Sequence, residues 1–220
     1  MEPNQTNQQS STNANPKFQE EFKNFYKADF KIILSTLFKE PIEGSLNLFK
    51  SPSEKAYLHS IIMYISVFVL YIIGFYLIIG EMRSYIKLSS IIKASFAPTI
   101  LMLIITAISF LIKSMSGKSD FKSEMLTGAL CGIPIALFLV LLFGIKIFAS
   151  VDNVMQLLTN FKKIGVIGFL LIFYIIIMLI NILQQSLKSS GTKDNLAFYL
   201  SPVSILLAIY VSYEIVDALF

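Results

Sequence analysis

Five uninterrupted apolar runs leave this 220-residue chain little choice of fold. Crossing about 30 Å of hydrocarbon takes roughly 20 helical residues at about 1.5 Å each. The runs at 58–80, 89–112, 125–149, 163–184 and 197–219 all reach that length. Short polar connectors such as "EMRSYIKL" and "KSMSGKSDFKSE" make consecutive spans antiparallel neighbours. The runs lack the dyad alternation of a transmembrane β-barrel. The expected fold is all-α: an integral membrane five-helix bundle over 58–220, with the lipid bilayer as its first partner.

Charge supports this reading. Charged residues make up 15% of the chain and hydrophobic ones 55%, and the lysines fall between the apolar runs. The formal charge of +4 forms no basic stripe with interleaved aromatics, so nucleic acid is not an expected partner. Basic residues beside span ends instead report orientation. Lys39, Lys50, Lys55, Lys113, Lys118, Lys122, Lys188 and Lys193 share one face, against Arg83, Lys87, Lys93, Lys146, Lys162 and Lys163 on the other. That excess places the N-terminus in the cytoplasm and the C-terminus outside.

Residues 1–16 are mostly Asn, Gln, Ser and Thr and are read as a disordered polar tail. No basic and apolar leader of the secretory type is evident there, so targeting falls to the first span. From 17 to 57 the pattern changes. Phe18, Phe22, Phe25 and Tyr26, then Phe30, Ile33, Leu34, Leu37 and Phe38, recur at helical spacing until Pro41 interrupts them. Ile42, Leu46 and Phe49 follow as a second short stripe. These segments are too short and too charged to span a bilayer. They are expected as amphipathic interfacial helices whose stripe enters the acyl boundary or packs on the bundle's own surface; both readings are open.

Polar residues inside the spans are the candidate functional positions. Ser95, Thr99, Thr106 and Ser109 share a face of the second span. Hydroxyls at that spacing permit close helix packing, and a pore lining is the alternative. Pro98 and Pro134 interrupt the backbone hydrogen bonding of their helices. Glu214 lies in the last third of the fifth span, at a depth comparable to Lys93 and Lys146, so an approach to one of them is expected. The alternative is that all three reach separately for the interface, and Asp217 is expected to be solvated. Asn181, Gln184 and Gln185 end the fourth span at the level of His59 and Ser60, forming either an interhelical polar cluster or headgroup contacts.

In "LTGALCGIPIAL", Gly128, Gly132 and Ala136 fall four apart and form a small-xxx-small ridge where another helix approaches closely. Cys131 lies off that register and reads as an inert apolar residue. As the only cysteine it has no disulfide partner, and with one histidine in the chain no zinc site is expected. No catalytic motif occurs. Catalytic, cofactor-binding and metal-binding residues are therefore not expected, nor is enzymatic activity.

The layout resembles the Yip family of five-span membrane proteins, named for interaction with Rab-type GTPases, and its bacterial relatives. The resemblance covers roughly residues 30–220. It is carried by "LFKEPIEGSLNLFKSPSEKAYLHS", "SFAPTILMLIITAISFLI" and "FYLSPVSILLAIYVSYEIVDALF". It implies a membrane-embedded scaffold with a cytosolic N-terminus. The family's acidic-aromatic-Gly-Pro signature is missing, as is a cysteine-rich zinc ribbon ahead of the spans. GTPase binding is therefore carried to no residue. High use of Ile, Lys and Asn points to a bacterial inner membrane. The expected role is a non-enzymatic organiser of lipids, other membrane proteins or further copies of itself, with a small transporter or channel as the alternative.

Overall fold

The structure, a computed structural model, describes residues 16–53, 55–80, 85–115, 117, 119–148 and 154–219. For 16–17, 145–148, 154–164 and 167 it describes the backbone alone. The tail reading for residues 1–16 thus lies almost wholly outside the described residues. Among those residues every regular element is helical. Helix α1 (Pro16–Asn24) continues through a π-helical turn (Phe25–Asp29) into α2 (Phe30–Lys39), and α3 (Glu43–Lys50) follows. The long helices are α4 (Ala56–Ile79), α5 (Leu88–Ser114), α6 (Phe121–Phe148), α7 (Val154–Ser189) and α8 (Asp194–Leu219).

Each of these five contains a stretch long and apolar enough to cross a membrane, so the chain is a multi-pass integral membrane protein. The helices outrun the apolar stretches that announce them. Backbone hydrogen bonding does not stop where hydrocarbon stops, so polar residues such as Lys113 and Glu124 become helical ends rather than loop. Glycines with positive φ, Gly80 after α4 and Gly191 after α7, end the helices in a conformation other residues resist.

Helix α6 is the hub. It packs on α4, α5 and α7, while α8 closes the bundle against α5 and α7. Ile62, Met102, Ile105, Leu130, Leu139, Ile182 and Leu183 are fully buried where these helices meet. The opposite faces carry large exposed apolar groups, including Phe169, Leu170 and Phe173 on α7 and Tyr199, Val203 and Leu206 on α8. In lipid such a face incurs no hydrophobic cost, so packing fit and polar contacts must hold the helices together.

Fit is closest at the glycines. A methyl group at Gly128 would overlap the Thr106 and Tyr64 hydroxyls and the Met102 carbonyl. At Gly132 the nearest neighbours are Met102 Cε at 2.7 Å and Val67 Cγ2 at 3.1 Å. The ridge therefore brings α4 and α5 onto α6, while Ala136 is partly exposed beside a groove shared with Tyr26 and Phe30. Gly74 on α4, which sequence spacing does not single out, makes room for Leu139 in the same way. Cys131 is fully buried in the core.

The N-terminal helices cross one end of this bundle as a strap. Lys55 Nζ meets Glu21 at 2.6 Å, the Phe25 ring lies 4.8 Å from His59, and Tyr26 hydrogen-bonds Ser66. Further along, the Asn181 amide on α7 donates to the Pro41 carbonyl, and α3 packs on α7. Phe25, Ile33 and Leu37 turn inward into the core cluster, whereas Phe18, Phe22, Ile32 and Phe38 remain exposed. The strap thus uses one apolar face on the bundle and keeps another outside.

Candidate functional site

The strongest polar constellation joins the strap-side ends of α5, α6 and α7. Ser109 and Lys113 are four apart on α5, so their side chains leave the same face. Glu124 and Thr127 are three apart on α6 and likewise share a face. The short turn between the two helices sets the faces opposite each other. Lys113 Nζ lies 2.9 Å from Glu124 Oε1 and 2.8 Å from Oε2. The two side chains retain only 5% and 3% of their exposure, so this is a buried ion pair.

Every charge in the pair has further partners. Ser109 donates to Glu124 Oε2 at 2.7 Å, and Thr127 lies 3.4 Å from the same oxygen. Lys113 Nζ donates to Ser186 Oγ on α7 at 2.7 Å, and Ser186 shares a hydrogen bond of 2.6 Å with Thr127. Desolvating two charges is costly, and such a pair persists only where the remaining donors and acceptors are satisfied. Here they are. The serine–lysine contact resembles the start of a nucleophile–base dyad. Yet the amine donates to one carboxylate oxygen and lies 2.8 Å from the other, and Ser186 is fully buried. The arrangement is chemically a clamp on three helices.

A second set of contacts lies deeper. The Tyr64 hydroxyl meets Thr106 Oγ1 at 2.7 Å and donates to the Met102 carbonyl at 3.1 Å, over the space left by Gly128. Tyr71 donates to the Ile135 carbonyl at 2.6 Å, one residue beyond Pro134. Helices α5 and α6 continue through Pro98 and Pro134, and α8 continues through Pro202.

The four hydroxyls of the second span separate on inspection. Ser95, Thr106 and Ser109 are fully buried; Ser95 donates to the Ile91 carbonyl at 2.8 Å, and the other two make interhelical bonds. Thr99 is partly buried, and its Oγ1 has no hydrogen-bond partner. Glu214 and Lys93 are both exposed, and the ion pairs among the described residues do not include one between them. The Lys146 side chain lies outside the described residues. On the strap side, Gln185 donates to Asn181 at 3.2 Å, whereas Ser60 returns to the Ala56 carbonyl and His59 faces Asp29. Among the described residues no group of three His, Cys, Asp or Glu side chains converges as a metal site.

Sequence reading misses Lys113 and Glu124 because their connector composition hides them from a search for charges inside apolar runs. The usable signal is the pair of helical registers, Ser109/Lys113 and Glu124/Thr127, facing each other across a tight turn. Comparison with protein-family models, with curated proteins and with solved structures gives no match.

Proposed function

We propose that this protein is a non-enzymatic membrane scaffold, Yip-like in layout, whose strap lies at the cytoplasmic headgroup boundary and organises lipids or partner proteins there. One observation carries the reading: the main polar clusters inside the bundle hold helices to one another. Ser109, Thr106, Thr127, Ser186, Tyr64 and the Lys113–Glu124 pair all bond across helix contacts. A transport pathway needs such groups facing water or cargo. The strap supports an interfacial role, since its outward Phe18, Phe22, Ile32 and Phe38 suit the acyl boundary while its inward face holds the bundle.

Cysteine accessibility tests the scaffold reading against the transport alternative. Cys131 is replaced by Ala, and single cysteines are placed at Ser95, Thr99, Thr106 and Ser109. Protection of all four from a water-soluble thiol reagent in intact membranes is the expected result. Labelling of all four would establish a water-filled path and overturn the scaffold.

A further inference from the structure

Between the strap and the bundle lies a cavity of about 180 Å³. That space is roomy enough to admit a small polar head. Its walls are apolar, with Met63 and Leu126 among them, and its polar lining comes from Asp29, Ser51, Ser53 and His59. His59 retains 5% of its exposure, and its Nε2 has no hydrogen-bond partner. That nitrogen lies 3.5 Å from Asp29 Oδ2. Buried polar atoms normally have partners, so an unmatched imidazole nitrogen at the wall of a cavity marks a recognition point.

We infer that this cavity binds a primary ammonium group, carried by the headgroup of an aminophospholipid. Among the described residues of the lining Asp29 is the one that carries charge, so the site favours a cation. The neighbouring Lys55 is occupied by Glu21, at 2.6 and 2.9 Å from its two carboxylate oxygens. The acceptors are a carboxylate oxygen, an imidazole nitrogen and two serine hydroxyls, a set that rewards N–H donors. Neutral His59 with its proton on Nδ1 offers the Nε2 lone pair. An ammonium donating to Asp29 Oδ2 would have Nε2, 3.5 Å from that oxygen, beside it as a second, bent acceptor. A quaternary ammonium has no N–H to donate and prefers an aromatic cage, which the lining lacks. Discrimination between ethanolamine and choline headgroups follows directly. A bare metal ion would find too few oxygen ligands. The inference deepens the lipid-organising reading and rests on it for the placement of the strap at headgroup level.

His59 is the only histidine in the chain, so a tag-free protein labelled in its histidine ring gives one imidazole signal. The full chain is placed in phosphatidylcholine nanodiscs and phosphatidylethanolamine is raised stepwise. A saturable shift of that signal is expected with ethanolamine headgroups and not with choline ones. Asp29→Asn should weaken the response at least about tenfold, the scale of one lost charge-assisted hydrogen bond. Free ethanolamine added to the phosphatidylcholine discs separates the sources. A shift at millimolar amine or below would assign the site to a soluble amine and overturn the lipid source. Identical spectra in the two lipids, or equal shifts from both, would overturn the ammonium site without relying on any variant. A spin label at Phe22 reports separately on the strap's depth. A strap in lipid with no ethanolamine response overturns this site alone, and a strap in water overturns the reading beneath it.

Discussion

Cutting the Lys113–Glu124 pair on one side should be far more damaging than removing it altogether. In Lys113→Met the Glu124 carboxylate keeps Ser109 at 2.7 Å and Thr127 at 3.4 Å but loses the cation that touched both its oxygens. Stranding a buried charge costs about 3–5 kcal/mol. At about 1.4 kcal/mol per decade this raises the unfolding constant roughly 100- to 4,000-fold. Glu124→Met strands the lysine instead and should fall in the same range. The double variant Lys113→Met/Glu124→Met leaves neutral hydroxyls, and Ser186 and Thr127 still pair at 2.6 Å. Ser109 can return to its own helix, so the double variant should lie within about 1–2 kcal/mol of the parent. The coupling energy is then about 4 kcal/mol or more, above the roughly 0.6 kcal/mol average for interhelical hydrogen bonds in membranes. The chain carries its own probe. Cys131 is the only cysteine and is fully buried, so a thiol-reactive dye during a titration with denaturing detergent reports opening of the core. Single variants close to the parent, or a double variant as damaged as the sum of the singles, would refute the reasoning.

Gly128→Ala should destabilise the bundle more than Gly132→Ala, because the added methyl meets a backbone carbonyl at Gly128 but the movable end of Met102 at Gly132; thiol-dye unfolding curves give the order. Ser186→Ala removes the hydrogen bonds to Lys113 and Thr127 but leaves the ion pair, and should cost about 1.5–3 kcal/mol in the same assay. Cys131→Ala removes one buried sulfur, and circular dichroism melting should show a loss of about 1 kcal/mol. The hydrogen bond to Glu21 raises Lys55 above the ordinary lysine value of 10.5. A raised cation holds its full contribution below that value and loses it as pH climbs through the raised one. The mobility of a spin label at Phe22 should therefore increase only above about pH 10.5, and Lys55→Gln should abolish that alkaline step.

The spans are legible in the sequence because lipid imposes one strong rule, a long apolar helix for each crossing. Five runs therefore correspond to five helices, and the spacing of Gly128 and Gly132 announces a close approach. Contacts that depend on three helices at once are not legible. Ser186 joins Lys113 only because α7 returns beside the α5–α6 turn, and apolar content cannot encode that neighbourhood. Hydropathy also ranks Glu214 as conspicuous and Lys113 as ordinary, since it scores a charge by its flanks. The fold reverses this order: Glu214 lies on the surface and Lys113 inside. Thr99 shows the same limit, sharing a helical face with three fully buried hydroxyls yet remaining partly exposed itself.

The clamp also bears on how the chain enters its membrane. Neither Lys113 nor Glu124 can leave water cheaply alone, yet together they present a neutral, hydrogen-bonded unit a few residues either side of a turn. This favours lateral release of α5 and α6 from the insertion machinery as one hairpin, with charge cancelled before lipid is met. Ser186 is synthesised later, on α7, and its arrival seals the pair. The order of synthesis would then also be the order in which the clamp is assembled.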